Sequence, residues 1–267
     1  MKNLNGKDQS GSDLTGYDLQ GLDLTGYDFT GAKLVGANFK GAILEGVYLN
    51  LADLRGANLE GAKLEEVRAR GVNLTKADLR GANLEGAKLT QSNLMNANLK
   101  SASLKDADLY GANLTSANLW GADLVCANLE STNLYCAKLY YAYLQRANLW
   151  QANLQSAYLA YADCRGTDLS GANLKDAALQ GANLRGANLQ RVSLEGAILY
   201  SAYLQSANLQ GANLQRAILI GANLESANLS GADLQGADFT GASLEDVDLT
   251  GANLKGVGLP NTILFRL

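Results

Sequence analysis

A five-residue register runs from Leu14 to Leu264 without an insertion or deletion. Each unit reads Ala-(Asn/Asp)-Leu-X-X. Of its 51 central positions 46 are Leu, and the others are Phe29, Phe39, Ala69, Cys164 and Phe239. Self-similarity at a fixed short period dictates a solenoid and overrides any segment-by-segment assignment. Five residues turn an α-helix by roughly 140°, so these Leu would spiral around a helix and make no apolar stripe. In an extended chain, residues two apart share a side. Ala32 and Leu34 therefore face one way and Lys33 the other. The next inward pair, Ala37 and Phe39, begins three residues after Leu34, which forces a bend between units. Gly recurs at the fifth position of the unit, as in Gly16, Gly21, Gly26, Gly31 and Gly36, where a tight turn asks for φ > 0. The expectation is an all-β chain of short extended sides and corners, coiled around an interior of Leu and Ala.

The units Ala57-Asn58-Leu59-Glu60-Gly61, Ala82-Asn83-Leu84-Glu85-Gly86 and Ala212-Asn213-Leu214-Gln215-Arg216 resemble the pentapeptide-repeat family, and the resemblance spans residues 12–264. The style of repeat is that of long, weakly charged cyanobacterial-type members. The resemblance implies a right-handed quadrilateral β-helix with four units and 20 residues per coil and no inserted loops. That gives about 12–13 coils, a rod roughly 60 Å long at a strand spacing of about 4.8 Å.

The unbroken register leaves no linker, so residues 12–267 read as one elongated domain. Residues 1–11 are polar, with Gln9 where a Leu would sit, and are expected to form a lead or cap. In the first coil Tyr17, Leu22 and Tyr27 stand where later coils have Ala, as if to close an open end. From about residue 258 the chain departs from the pattern, through Pro260 to Leu267. Two readings are open there: a self-cap over the last coil, or an end-to-end homodimer through the C-terminal coil, a pairing the resemblance implies. Ala69 and Cys164 each replace a Leu and should leave a smaller plug in their layers.

Chemistry is marked by what is missing. The chain has no His, which removes the usual general base and the commonest metal ligand. Asp before the centre (Asp13, Asp53, Asp78, Asp233) exchanges freely with Asn along the chain, as a catalytic carboxylate would not. The expectation is no enzyme, no cofactor and no metal. Cys126, Cys136 and Cys164 are too few for a disulfide scaffold, and Cys126 and Cys136 fall on opposite sides of the rod. No apolar run approaches membrane-spanning length and Met1–Asn5 opens no signal peptide, so a cytoplasmic location without membrane contact is expected.

Function must then sit on the outer surface, where residues 20 apart stack. On the side centred on Leu19, Phe39 and Leu59, the residues after the centre run Gln20, Lys40, Glu60, Arg80 and Lys100, then change to Trp120, Tyr140 and Ala160. Trp120, Tyr140, Tyr141, Tyr143, Tyr158, Tyr161, Ile198, Tyr200, Ile218 and Ile220 should make one outward strip in the second half of the rod. Exposed patches of this kind mark interfaces. The competing reading is that the rings only support one another up the ladder. Trp150, Tyr110 and Tyr135 lie on other sides, as isolated surface aromatics. On the side centred on Leu44, Glu45, Glu65 and Glu85 stack with Glu66 at the corner, a candidate acidic ladder. Some members of the resembled family imitate duplex DNA and occupy the DNA site of type II topoisomerases. Duplex DNA carries one charge per roughly 1.7 Å, whereas the net charge here is -4, and Lys63, Arg68, Arg70, Lys76 and Arg80 interrupt an acidic track. The reading is a protein-interaction rod that binds a protein partner through the strip and makes no direct contact with nucleic acid. A gyrase-directed DNA mimic is the alternative, and a passive spacer the third.

Overall fold

In an inner unit with Asn or Asp at its second position, every backbone N–H finds an acceptor. In the computed structural model, which describes residues 4 and 6–258, the unit Ala57–Gly61 is representative. The Ala57 N–H closes a turn on the Leu54 carbonyl at 3.0 Å, Asn58 donates back to Ala37 at 2.9 Å, and Leu59 donates forward to Asp78 at 2.7 Å. Gly61 donates to Arg80 at 2.9 Å. The remaining donor, the Glu60 N–H, goes to the Asn58 side-chain oxygen at 3.1 Å. That last bond explains the Asn/Asp preference at the second position: either residue offers Oδ1 to the N–H two places on, an Asx turn that a longer or apolar side chain cannot make. Asn adds a second bond, from Nδ2 to the residue 20 before it, as in Asn118 to Asn98 at 3.1 Å and Asn153 to Asn133 at 3.1 Å.

The bonds to neighbouring coils produce parallel bridges between residues 20 apart, from Asp8↔Asp28 to Asp238↔Gly258. One bridge per unit and one coil per 20 residues give four ladders around the rod, and no helix occurs among the described residues. First-position Ala and third-position Leu point inward. Every centre from Leu14 to Phe239 is buried, in one continuous apolar core.

The corners differ from the expectation built on glycine. Every fifth-position residue from Gly6 to Gly256 has φ between 53° and 77°. Glycine fills many of these corners, yet Leu51, Glu66, Tyr141 and Tyr161 adopt the same left-handed conformation. The turn demands φ > 0 whatever residue arrives, and a side chain there costs about 1–2 kcal/mol.

The coil begins ahead of residue 12. Asp8 bridges Asp28, Gln9 is buried, and its Nε2 donates to the Gly6 carbonyl at 2.9 Å. Tyr17 and Tyr27 pack against the core, and the Tyr27 ring stacks on Phe29 at 5.7 Å, while Leu22 is exposed. The self-cap and end-to-end contact expected of Pro260–Leu267 fall outside the described residues. At Ala69 an apolar void of about 10 Å³ opens among Leu49, Leu64, Val67, Val72 and Leu89. Cys164 is buried, and burial pushes its thiol pKa up to about 12. Cys126 and Cys136 occupy left-handed corners and all three thiols are free.

Candidate functional site

The side of the rod that carries the aromatic residues breaks the rule set out above. Its second positions form the bridged series Asn118, Lys138, Tyr158, Ala178, Ile198, Ile218, Asp238. Five successive residues, Lys138 to Ile218, carry no Cγ-linked oxygen and so forgo the Asx bond. The longest comparable run elsewhere is three, Tyr48, Arg68 and Lys88. A backbone hydrogen bond is worth about 1 kcal/mol net, so this face sets aside a stabilising device repeated along the rest of the rod.

What replaces it is aromatic and aliphatic surface. Trp120 meets Tyr140 at 5.3 Å between ring centroids and Tyr141 at 5.7 Å. Tyr140 stacks on Tyr158 at 5.6 Å, and Tyr141 on Tyr161 at 5.2 Å with an interplanar angle of 12°. These five rings form one connected cluster. The Tyr161 ring ends the stack by lying over Gly181, where an added Cβ would stand 2.7 Å from its Cε1. Glycine at that corner lets the ring lie flat, since an added Cβ would push it aside. Ala160 is buried beneath its neighbours. Beyond it the bridged Ala178, Ile198 and Ile218 continue the surface, half-buried, with Ile220 half-buried and Tyr200 exposed alongside. Tyr143 stands exposed on the adjoining side, outside the ring cluster. Despite the internal stacking, Trp120 keeps 45% and Tyr161 58% of its surface in solvent.

Two cations at the border of the strip were not legible in the repeat. Lys100 Nζ lies 5.9 Å from the Trp120 ring centroid, and the Arg185 guanidinium lies 4.6 Å from that of Tyr203. Each lies in the coil before the ring it covers, 20 residues ahead of Trp120 and 18 ahead of Tyr203.

The acidic residues form a shorter feature. Glu65 accepts from Asn83 Nδ2 at 2.6 Å, and its other oxygen is buried without a partner. Glu66 folds over Gly86, and Glu85 pairs with Lys105 at 3.5 Å. Glu45 is exposed. The column thus ends on Lys105 and continues as Val125, Gln145, Arg165 and Arg185. Elsewhere the Asp carboxylates are held in their charged form. Thr15 and Thr25 hydroxyls donating to Asp13 and Asp23, helped by backbone N–H groups, hold those carboxyls below the usual range. Arg55 and Arg80 do the same for Asp53 and Asp78 through side-chain hydrogen bonds. Among the described residues no group of His, Cys, Asp and Glu is arranged to hold a metal ion, and no helix is long and apolar enough to cross a membrane.

The family model Pentapeptide repeats (8 copies) matches residues 10–46, 52–91, 77–115, 92–130, 112–151, 137–176, 151–186, 177–216 and 217–256. No curated protein sequence matches the chain. Among solved structures, HetL, a pentapeptide repeat protein involved in heterocyst differentiation regulation from the cyanobacterium Nostoc sp. strain PCC 7120, is 34% identical. That similarity covers 91% of this chain and 92% of HetL, with a TM-score of 0.41. Rfr23, a pentapeptide repeat protein from the cyanobacterium Cyanothece 51142, is 41% identical over 37% of this chain and 64% of that one, with a TM-score of 0.26. Full-length QnrB1, a plasmid-mediated fluoroquinolone resistance protein, is 19% identical over 95% of this chain and 96% of that one, with a TM-score of 0.36. The matched repeats and the near full-length similarity to HetL establish that this chain belongs to the pentapeptide-repeat family.

Proposed function

We propose that the protein is a non-enzymatic, regulatory interaction rod, a right-handed quadrilateral β-helix of about 12–13 coils, that binds a protein partner in the cytoplasm through the strip from Trp120 to Ile220. The observation that carries this reading is the run Lys138, Tyr158, Ala178, Ile198, Ile218, where five rungs forgo the Asx bond and four of them present an aromatic or aliphatic side chain, exposed at Tyr158 and half-buried at Ala178, Ile198 and Ile218. Apolar surface of that extent on a monomer marks an interaction site, and Tyr and Trp are the residues most enriched where binding energy concentrates. HetL, the similar protein noted above, is itself involved in regulation. The rod's rigidity suits the role, because a preformed surface loses little conformational entropy on binding.

The test is capture of a partner from the cell of origin by the purified chain, followed by the triple variant Trp120→Ser, Tyr140→Ser, Tyr161→Ser. Capture should be lost while the far-ultraviolet circular dichroism spectrum is unchanged; capture by the variant at the original strength would remove the strip from consideration. The gyrase-directed alternative is tested on the same preparation in a supercoiling assay, where the present reading expects no effect at micromolar protein.

A further inference from the structure

Opposite the aromatic strip, on the side whose centres run from Leu149 to Leu249, lies a groove of about 840 Å³. Its shape comes from side chains that are missing. Gly171, Gly211 and Gly231 bring no side chain of their own to the corner, where Gln151 leans over Gly171, and Ser170 and Ser230 are short, so the surface drops beside the taller Trp150, Gln190 and Gln210. Arg191 crosses the floor, with its Cγ 3.7 Å from where a Cβ on Gly211 would stand. The floor is held by the Asx pattern that the strip lacks: Asn188 Nδ2 donates to Asp168 Oδ1 at 3.1 Å, and the Gln190 and Gln210 N–H groups are bonded to Asn188 and Asn208.

We propose that this groove binds a linear oligosaccharide. Its volume falls within the range of about 300–1,000 Å³ typical of ligand sites, and its chemistry is amide and hydroxyl with one indole and one cation. The lining holds no carboxylate and no aliphatic side chain. A sugar ring presents hydroxyl groups, each a donor and an acceptor, at its edge and C–H groups on its face. The amides of Gln190 and Gln210 meet each other at only 3.4 Å, which leaves most of their donors and acceptors for such edges. The exposed Trp150 ring supplies the flat, weakly polar platform that a C–H face requires. A single nucleic-acid strand fits less well, since it needs cations along its phosphates and Arg191 is the only one here. An amphipathic helix needs an apolar trough, and this lining has none. Polar groups recurring at the coil spacing of about 4.8 Å suit a ligand that is itself a repeating polar polymer.

The test uses the full chain carrying Trp120→Phe, which leaves Trp150 as the one indole. Maltohexaose, cellohexaose and N-acetylchitohexaose are titrated separately while Trp150 emission is followed, with calorimetry in parallel. The proposal expects saturable binding of at least one of them. It also expects affinity to fall ~10-fold or more, about 1.4 kcal/mol, in Gln190→Ala/Gln210→Ala, with Tyr140→Ser unaffected. The proposal is overturned if none of the three saturates by about 10 mM, an affinity too weak to be specific. It is equally overturned if the double alanine variant binds as well as its parent, or if hexathymidylate saturates Trp150 and no saccharide does.

Discussion

Replacing Tyr161 by glycine separates the two explanations of the aromatic cluster. Tyr161 sits at φ 60° in a corner where glycine is the common occupant. Holding a side chain there costs about 1–2 kcal/mol, and its stack on Tyr141 returns about 0.5–1.5 kcal/mol. With 58% of its surface exposed, it adds little burial. Glycine relieves the backbone strain and loses the stack, and its own unfolded-state freedom costs about 0.5–1 kcal/mol. The contributions nearly cancel, so Tyr161→Gly should change the unfolding free energy by less than about 1 kcal/mol. Tyr161→Ala keeps the strain while losing the stack, and should be the less stable of the two, by a few tenths to about 1 kcal/mol. Urea unfolding followed by circular dichroism measures both. A loss above about 2 kcal/mol in Tyr161→Gly would refute the reasoning, because the rings would then be holding the coils together.

The void beside Ala69 is about 10 Å³ and the buried Val67 and Val72 already fill most of the space a Leu would take, so Ala69→Leu should overpack its layer and lower stability by about 1–3 kcal/mol, read as a lower urea midpoint; a higher midpoint would mean that the layer has room for the larger side chain. Ser92 is buried with its Oγ unpartnered, so Ser92→Ala should leave stability unchanged or raise it by up to about 1 kcal/mol in the same assay. Asp13, Asp23, Asp53 and Asp78 all titrate below their usual value in the folded chain. Their folded pKa lies below the unfolded one, so the stability they add is present at neutral pH. It is lost as pH falls below the ordinary Asp value near 4 and through the lowered ones. The combined Asp53→Asn/Asp78→Asn variant should show a shallower loss across that window in a pH series of thermal melts.

The inner half of the rod was legible because its geometry has two repeating constraints: an inward pair in every unit, and a bend between units. Leu34, Ala37 and Phe39 could be placed inside from spacing alone, and they are buried. The corners were only half legible. Glycine at position 16 or 21 announces φ > 0, whereas Leu51 or Tyr161 gives no such sign, since the conformation is imposed by the coils above and below. The strip could be drawn as a column once residues 20 apart were known to stack. Which rings touch was not readable, because Trp120 contacts Tyr140 and Tyr141 through side-chain tilts that no column encodes. The groove beside Trp150 was hidden for a simpler reason. It is defined by absent side chains at Gly171, Gly211 and Gly231, residues that taken singly look like ordinary members of the repeat.

The central claim is that the strip is the face presented to a partner. The most direct measurement is hydroxyl-radical footprinting of the rod alone and with the captured partner. Protection of Tyr141, Tyr158, Tyr161 and Tyr200, with Tyr110 and Tyr135 unchanged, is the predicted result. Protection confined to Tyr110, Tyr135 or Trp150, with the strip as reactive as in the free rod, would contradict it.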